Sequence, residues 1–110
     1  GNYVQLGPIV FLTCRIVLSN NGSSTGAVRI TGLPVTASAT SALFAIPINN
    51  FTGITLTATY TQIAGTPDSG ATTILLYKSG SAASVAELDT SGTDIVADTA
   101  AITFTGFYYV

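Results

Sequence analysis

The feature that most constrains the fold of this chain is an alternation of apolar and polar side chains with a period of two. In residues 53–63 (GITLTATYTQI), one set of positions is apolar and the other is threonine throughout: Ile54, Leu56, Ala58 and Tyr60 alternate with Thr55, Thr57, Thr59 and Thr61. Successive side chains of a β-strand point to opposite faces of its sheet. The pattern therefore predicts a half-buried strand whose outer face is covered by hydroxyl groups and carries no charge.

Similar short strands are predicted along the whole chain, separated by residues that favour turns. The predicted strands are residues 2–6, 9–19, 25–31, 42–49, 53–63, 72–78 and 99–110. The turn signals between them are Gly7-Pro8, Asn20-Asn21-Gly22, Gly32-Leu33-Pro34 and residues 66–70 (TPDSG). Glycine and asparagine accept positive φ angles easily, and proline presets the φ angle of a turn. Strands and turns in this order are typical of antiparallel all-β folds.

Three of these strands carry more specific expectations. In residues 9–19 one face is apolar and is predicted to be buried: Val10, Leu12, Cys14, Ile16 and Leu18. After the turn at residues 20–22, residues 25–31 are expected as the return strand, with Val28 and Ile30 turned inward. Pro47 cannot donate a hydrogen bond to a ladder, so residues 42–49 are expected at a sheet edge or at a strand end.

Helix signals are scarce in this sequence. Ser84 and Glu87 have the spacing of a capping box, and at most one or two helical turns fit between them and the turn signal Ser91-Gly92. About seven or eight short strands and at most one short helical turn predict an all-β fold, an antiparallel β-sandwich of jelly-roll type. A chain of 110 residues is expected to form a single domain, residues 1–110.

The composition is unusually poor in charge. Charged residues make up 7% of the chain and the net charge is −2, whereas an average soluble domain has about 25% charged residues. Uncharged Thr, Ser, Gly, Asn and Ala must cover the surface instead, which fits contact with other copies or a place outside the cytoplasm. There is no basic patch for nucleic acid. No run of about eighteen apolar residues indicates membrane insertion.

The residue inventory excludes several kinds of active site. No histidine is present, so neither a Ser-His-Asp nor a Cys-His nucleophile system can form. Cys14 is the only cysteine, which excludes an internal disulfide and a thiolate zinc cluster, and its apolar neighbours predict a buried, inert thiol. We therefore expect a non-enzymatic protein with no catalytic residue, no metal site and no cofactor.

The acidic residues are concentrated in one part of the chain. Four of the five fall within twelve positions, namely Glu87, Asp89, Asp94 and Asp98. A solvated loop with capping residues is the main expectation for this segment. A weak cation site is the alternative, although the EF-hand pattern is absent. Paired carboxylates can also cleave a glycosidic bond, but no aromatic-walled cleft is visible beside these acids.

The last strand ends in aromatic residues that alternate between its faces. Phe107 and Tyr109 continue the outward face of Thr103 and Thr105, while Tyr108 continues the inward face. Three roles are open for Phe107 and Tyr109: contact between subunits, closure of the core, and binding of a glycan. We take these two residues as the candidate binding residues of the chain.

Both ends of the chain resemble one known family. Residues 1–34 contain an opening Gly-x-Tyr, a Gly-hydrophobic strand, a Gly/Ser-rich turn and an Ile-x-Gly-Leu-Pro segment, carried by Gly1, Tyr3, Gly7, Ile16, Gly26, Ile30, Gly32, Leu33 and Pro34. The closing ITFTGFYYV contains a Thr-Gly-x-Tyr element. Together these motifs resemble the module found at the C-terminal end of bacteriophage tail fibres and tailspikes.

The resemblance implies a homotrimeric β-sandwich at the tip of a phage adhesin, extracellular and part of the virion tail. Such a module closes the trimer through the sandwich flanks and, in some members, contacts host surface polysaccharide. It carries over no catalytic residues, because tailspike depolymerase chemistry resides in a separate upstream β-helix. Because the chain contains no Met and enters a predicted strand almost at once, residue 1 is expected to be a cut through a longer polypeptide with this module at its end. The alternative is a monomeric, lectin-like carbohydrate-binding module appended to a secreted bacterial enzyme.

Overall fold

The computed structural model describes residues 1–23 and 25–110, and its regular structure is almost entirely β-strand. The eight strands are β1 Asn2–Leu6, β2 Ile9–Val17, β3 Arg29–Thr31, β4 Ile46–Thr55, β5 Gln62–Pro67, β6 Thr73–Gly80, β7 Ala83–Glu87 and β8 Ile95–Tyr109. A 3-10 turn, Ala39–Leu43, is the only helical segment in the described residues. The predicted all-β class, the strand number and the limit of one short helical turn are confirmed.

All strand pairs are antiparallel and join into one bent sheet. Its order is β1-β2-β8-β4-β5-β6-β3, and β7 also pairs with β6, beyond the end of β3. β4 belongs to both halves of the sheet, since Ile46 and Pro47 pair with β5 and the rest of the strand pairs with β8. The two halves pack over a shared core, which is compatible with a sandwich. The jelly-roll connectivity stays a prediction.

The core lies between the two halves of the bent sheet. Its buried side chains come from both halves and from the start of β4 where they meet: Val10, Leu12, Phe104 and Tyr108; Ile63, Ile74 and Leu76; and Ile46. The inner face of β2 is the predicted one, because Val10 and Leu12 are buried and Cys14 and Ile16 are half-buried against the core. No helix within residues 1–23 and 25–110 has the length and apolar character needed to span a membrane.

Two hairpins match the turn signals of the sequence. β1 and β2 are joined by the two-residue loop Gly7-Pro8, and Leu6 lies opposite Ile9. Gly7 has a φ angle of 58°, which glycine adopts without steric cost. β5 and β6 are joined through residues 68–72, where the N–H of Ala71 donates to the carbonyl of Asp68. Pro67 therefore ends β5 and does not occupy the turn that the sequence predicted for it.

The single strand predicted over residues 53–63 is wrong. β4 already ends at Thr55, and β5 begins at Gln62. Between them the N–H of Tyr60 donates to the carbonyl of Thr57, and Thr59 has a φ angle of 81°. A left-handed backbone is unfavourable for a β-branched residue, so the alternating pattern alone could not reveal this turn.

Three further local predictions are wrong. Residues 84–87 lie in β7, which pairs with β6, and they form no helical turn despite the capping-box spacing. The strand near residues 25–31 is only Arg29–Thr31, and it pairs with β6 instead of returning along β2. The 3-10 turn covers the start of the strand predicted for residues 42–49. Pairing with the distant strand β6 overrides the local signal for β3, whereas β7 follows β6 directly through the two-residue loop at residues 81–82.

Candidate functional site

The outer face of β1, β2 and β8 carries rows of apolar side chains that run across the three strands. Val4 lies opposite Phe11, and Phe11 lies opposite Phe107. Directly paired residues of neighbouring strands point to the same face. These three side chains therefore form one row, 60%, 45% and 40% exposed in that order.

A second row lies beside the first, nearer to the β1–β2 turn. Leu6 lies opposite Ile9, which lies opposite Tyr109. Leu6 is 62% exposed, whereas Tyr109 is half-buried. The outer face of these strands is thus apolar over two adjacent rows, at the end of the sheet where the chain finishes.

The 3-10 turn places a fourth aromatic ring on this face. The side chain of Ser41 is buried, and its hydroxyl donates to the backbone carbonyl of Tyr109. The N–H of Ser38 donates to the same carbonyl at 2.8 Å, and the N–H of Phe44 closes the turn onto the carbonyl of Ser41 at 3.0 Å. These bonds fix the turn to the end of β8. Phe44 is thereby held over the two aromatic residues that project from that strand.

The four rings pack in tilted pairs. The ring centroids of Phe44 and Tyr109 are 4.9 Å apart, those of Phe44 and Phe107 are 5.7 Å apart, and those of Phe11 and Phe107 are 5.9 Å apart. Offset and tilted arrangements at these distances are favourable for aromatic rings. We call the surface formed by Val4, Leu6, Phe11, Phe44, Phe107 and Tyr109 the outer apolar face.

The structure places the two predicted binding residues together on this face. Phe107 and Tyr109 project outward from β8, while Tyr108 is buried and exchanges hydrogen bonds with the backbone of Val35. Sequence reasoning missed Phe11, because only the inner face of β2 was interpreted. It also missed Phe44, because the 3-10 turn that positions this ring was not predicted. Whether Phe107 and Tyr109 bind a ligand stays a prediction.

A buried ion pair is the second notable cluster, and it corrects the prediction for Asp94. The Asp94 side chain is fully buried, and one of its oxygens accepts a hydrogen bond from the Lys78 ammonium at 2.5 Å. Its other oxygen accepts from the N–H and the hydroxyl of Thr57, each at 2.8 Å. Asp94 therefore does not lie in a solvated loop. Its hydrogen bonds to Thr57 hold the turn after β4 in place.

The surroundings of this pair satisfy both charges. The Lys78 ammonium lies 4.6 Å from the centroid of the Tyr60 ring, and the Tyr60 hydroxyl donates to the carbonyl of Ser84. Burial by itself would raise the pKa of Asp94. Hydrogen bonds from Lys78 and from the backbone of Thr57 and Asp89 outweigh this effect and lower that pKa to about 2. The Asp94 carboxyl group is therefore ionised at neutral pH.

The remaining acids of the cluster behave as local capping or exposed residues. The Asp89 carboxylate accepts from the hydroxyl and the N–H of Ser91, and these bonds lower its pKa. Asp98 accepts from the N–H of Asn21, and Glu87 is exposed on β7. Within residues 1–23 and 25–110, no group of three or more acidic or cysteine side chains is placed to hold a metal ion.

The structure thus contains two separate features: the exposed outer apolar face, which can contact another molecule, and the buried ion pair of Lys78 and Asp94, which is structural. Comparison of the chain with protein-family models, with curated proteins and with solved structures found no match.

Proposed function

We propose that this chain is a non-enzymatic, trimer-forming terminal module of a phage tail fibre or tailspike, which helps the virion attach to the host surface. The outer apolar face is the observation that carries this proposal, together with the family resemblance of the two chain ends. In this proposal the face lies against a neighbouring copy in the trimer.

The size of the outer apolar face supports contact between copies. Aromatic and large aliphatic side chains of this kind, at roughly half exposure, present on the order of 400 Å² together. That is about half of the ~800 Å² that each partner contributes to a standard interface. A patch of this size on a soluble domain is often functional. The neighbouring Thr13 of β2 and Thr105 of β8, both exposed, extend this area with methyl groups that pack without burying a charge of their own.

The edge strand β1 gives a second line of support. All five of its residues are exposed, including Tyr3, Val4 and Leu6, and none is charged. Exposed edge strands usually carry charges or proline to prevent pairing with other chains. An uncharged edge that exposes Tyr3, Val4 and Leu6 is consistent with a strand that another copy covers.

The mass of the particle in solution tests the proposal. The wild-type chain is expected to scatter light as three copies. Val4→Lys places a charge in the middle of the outer apolar face and is expected to yield single copies, because a buried unpaired charge costs several kcal/mol. Val85→Lys is the matched control, since Val85 is 67% exposed on another strand, β7, and should leave the trimer intact.

Two results would count against this assignment. If the wild-type chain is found as single copies, it does not form the proposed trimer. If the wild type and both lysine variants are all trimers, the chain does form a trimer, but the outer apolar face is not part of the interface.

A monomeric, lectin-like carbohydrate-binding module is the second candidate, and the exposed Phe107 ring beside Tyr109 favours it. Aromatic rings present flat apolar surfaces on which sugar rings can pack. A glycan array with the wild-type chain and with Tyr109→Ala tests this role. Binding by a single-copy wild type that the variant loses would establish the alternative. Equal binding by both would remove Tyr109 from the site.

A further inference from the structure

One asparagine of the chain is followed by glycine, and it lies in the loop after β2. This pair is Asn21-Gly22, whereas the other asparagines precede Tyr, Asn or Phe. Both residues are exposed, and Gly22 has a φ angle of 68°. Because glycine has no side chain, its backbone nitrogen can approach the preceding side chain with little hindrance. The Gly22 nitrogen and Cγ of Asn21 can therefore close a succinimide ring.

Asn21 also fastens this loop to β8. Its side-chain NH₂ donates to the carbonyl of Val96 at 2.6 Å, and its backbone N–H donates to the Asp98 carboxylate at 3.1 Å. A carbonyl oxygen only accepts hydrogen bonds, so the nitrogen of the Asn21 amide must face Val96. Two bonds between the loop and β8 thus depend on a single residue.

Asn20 guards the nitrogen that closes the ring. The N–H of Gly22 donates to Oδ1 of Asn20 at 2.6 Å. Ring closure needs the Gly22 nitrogen without its proton and close to Cγ of Asn21, so the bonds to Asn20 and to Val96 both have to break first. Exposed loops open locally at a cost far below that of global unfolding. The hydrogen bonds therefore slow the ring closure in the folded chain without abolishing it.

We propose that Asn21 is a self-modification site, at which the folded chain converts the amide into a carboxylate and thereby releases the loop from β8. The Gly22 nitrogen attacks Cγ of Asn21, the N–Cγ bond forms, and the Cγ–Nδ2 bond breaks. Ammonia leaves with the proton that the Gly22 nitrogen has lost. Water then adds to one carbonyl of the succinimide, and the bond from that carbonyl to the ring nitrogen breaks. Addition at Cγ gives aspartate, and addition at the main-chain carbonyl gives isoaspartate.

The product cannot restore the anchor on β8. A carboxylate accepts hydrogen bonds and donates none, so the carbonyl of Val96 loses its donor. The new charge also lies close to Asp98, whose carboxylate is bonded to the backbone N–H of the same residue, and like charges repel. Local opening is reversible before the reaction and permanent after it. The site is thus a one-way switch on this loop.

The rate of the reaction tests the guarding hydrogen bonds. The full chain, folded or unfolded in urea, is incubated at mildly alkaline pH, and conversion at Asn21 is followed by mass spectrometry of its peptides. Enzymatic methylation counts the isoaspartate. Two neutral hydrogen bonds must open before the ring closes, so we expect the folded chain to react about tenfold more slowly than the unfolded one.

Removal of the guard provides the matched comparison. Folded Asn20→Ala should react about threefold faster than the folded wild type, because the N–H of Gly22 loses its acceptor. The two proteins should react equally fast in urea. Asn49→Ala is the control, since Asn49 also precedes an asparagine but donates to the hydroxyl of Thr105. It should leave the rate at Asn21 unchanged.

Hydrogen exchange tests the release of the loop. Asn21→Asp carries the charge of the product in a homogeneous protein. We expect exchange at the amides of residues 21 and 22, corrected for intrinsic rates and measured by NMR, to be about fivefold faster than in the wild type. The amide of Val28, which donates to the carbonyl of Leu88, should keep its rate because the chain stays folded. Adding Asp98→Asn removes the repulsion and should slow the exchange again by about twofold.

Four results would overturn the proposal. If the folded chain reacts as fast as the unfolded chain, the hydrogen bonds do not guard the site. If it reacts more than about a hundredfold more slowly, the loop opens too rarely for self-modification. Equal rates for the folded wild type and folded Asn20→Ala would show that Asn20 is not the guard. Unchanged exchange at residues 21 and 22 in Asn21→Asp would show that the modification does not release the loop.

Discussion

At the scale of single residues, Asp94 and Lys78 show how one ion pair can organise a loop in a chain with very few charges. Asp94 accepts hydrogen bonds from Thr57, Lys78 and Asp89, which belong to three separate segments. A buried ion pair is weak evidence of net stabilisation, because desolvation offsets much of the attraction. Removal of one partner is costly, however, because the other charge then stays buried alone.

The first prediction concerns loss of the Asp94 charge. Asp94→Asn is expected to lower the free energy of unfolding by about 3 kcal/mol, because Lys78 is left buried without its counter-ion. Urea denaturation of the two proteins measures the difference. Asp98→Asn serves as the control, since Asp98 is exposed and should change the stability by less than about 0.5 kcal/mol. Equal effects of the two substitutions would contradict the structural role of Asp94.

The second prediction follows from the lowered pKa of Asp94. An unfolded aspartate has a pKa of about 3.9, and the folded value is about 2. The contribution of the ionised Asp94 carboxylate is therefore complete above about pH 5 and is lost as the pH falls to about 1, by about 2–3 kcal/mol in all. Urea midpoints across this range should fall more steeply for the wild type than for Asp94→Asn. Parallel curves for the two proteins would exclude this linkage.

Residue-level sequence reasoning located Phe107 and Tyr109 but not the ion pair. The outward direction of Phe107 and Tyr109 follows from alternation along one strand, which is local information. The partners Lys78 and Asp94 are separated by 15 intervening residues, and they meet only because β6 passes beside the segment before β8. A pairing between distant segments leaves no trace in the local pattern.

At the scale of elements, the segment between β4 and β5 shows where alternation fails as a guide. The threonine pattern continues through residues 57–61. The chain nevertheless turns there, where the Asp94 carboxylate accepts hydrogen bonds from the N–H and the hydroxyl of Thr57. The turn approaches β6 closely. A Cβ atom added at Gly80 would lie 1.8 Å from the carbonyl oxygen of Thr59, so only glycine fits at this position.

The third prediction tests this close approach. Gly80→Ala is expected to destabilise the protein by about 2–3 kcal/mol, because the methyl group forces the turn away from β6. Gly92→Ala is the matched control, since the nearest atom to an added Cβ there is 3.8 Å away, and its effect should stay within about 0.5 kcal/mol. Thermal or urea unfolding measures both variants. A Gly80→Ala protein as stable as the wild type would show that the turn does not touch β6.

The β1–β2 hairpin was predictable from its turn signal, whereas the β6–β7 hairpin and the pairing of β3 with β6 were not. The β1–β2 hairpin follows from Gly7-Pro8 between two apolar runs, and its strand bounds agree closely with the prediction. β3 was predicted to return along β2, but it pairs with β6. More than forty residues lie between β3 and its partner, so no turn signal could specify that pairing.

At the scale of the whole molecule, the surface carries very few charges. Only 7% of the residues are charged, and the buried pair removes two charges from the surface. Low surface charge favours association of like molecules. Because the outer apolar face has a defined position and shape, such association is expected to end at a closed trimer. An irregular aggregate would need contact surfaces spread over the molecule.

Sedimentation equilibrium of the wild-type chain tests this central claim most directly. The mass should correspond to three copies over a wide range of concentrations and should fall toward one copy only at high dilution. A single copy that persists at the highest concentrations would contradict the account, because the outer apolar face would then be stable in water without a covering neighbour.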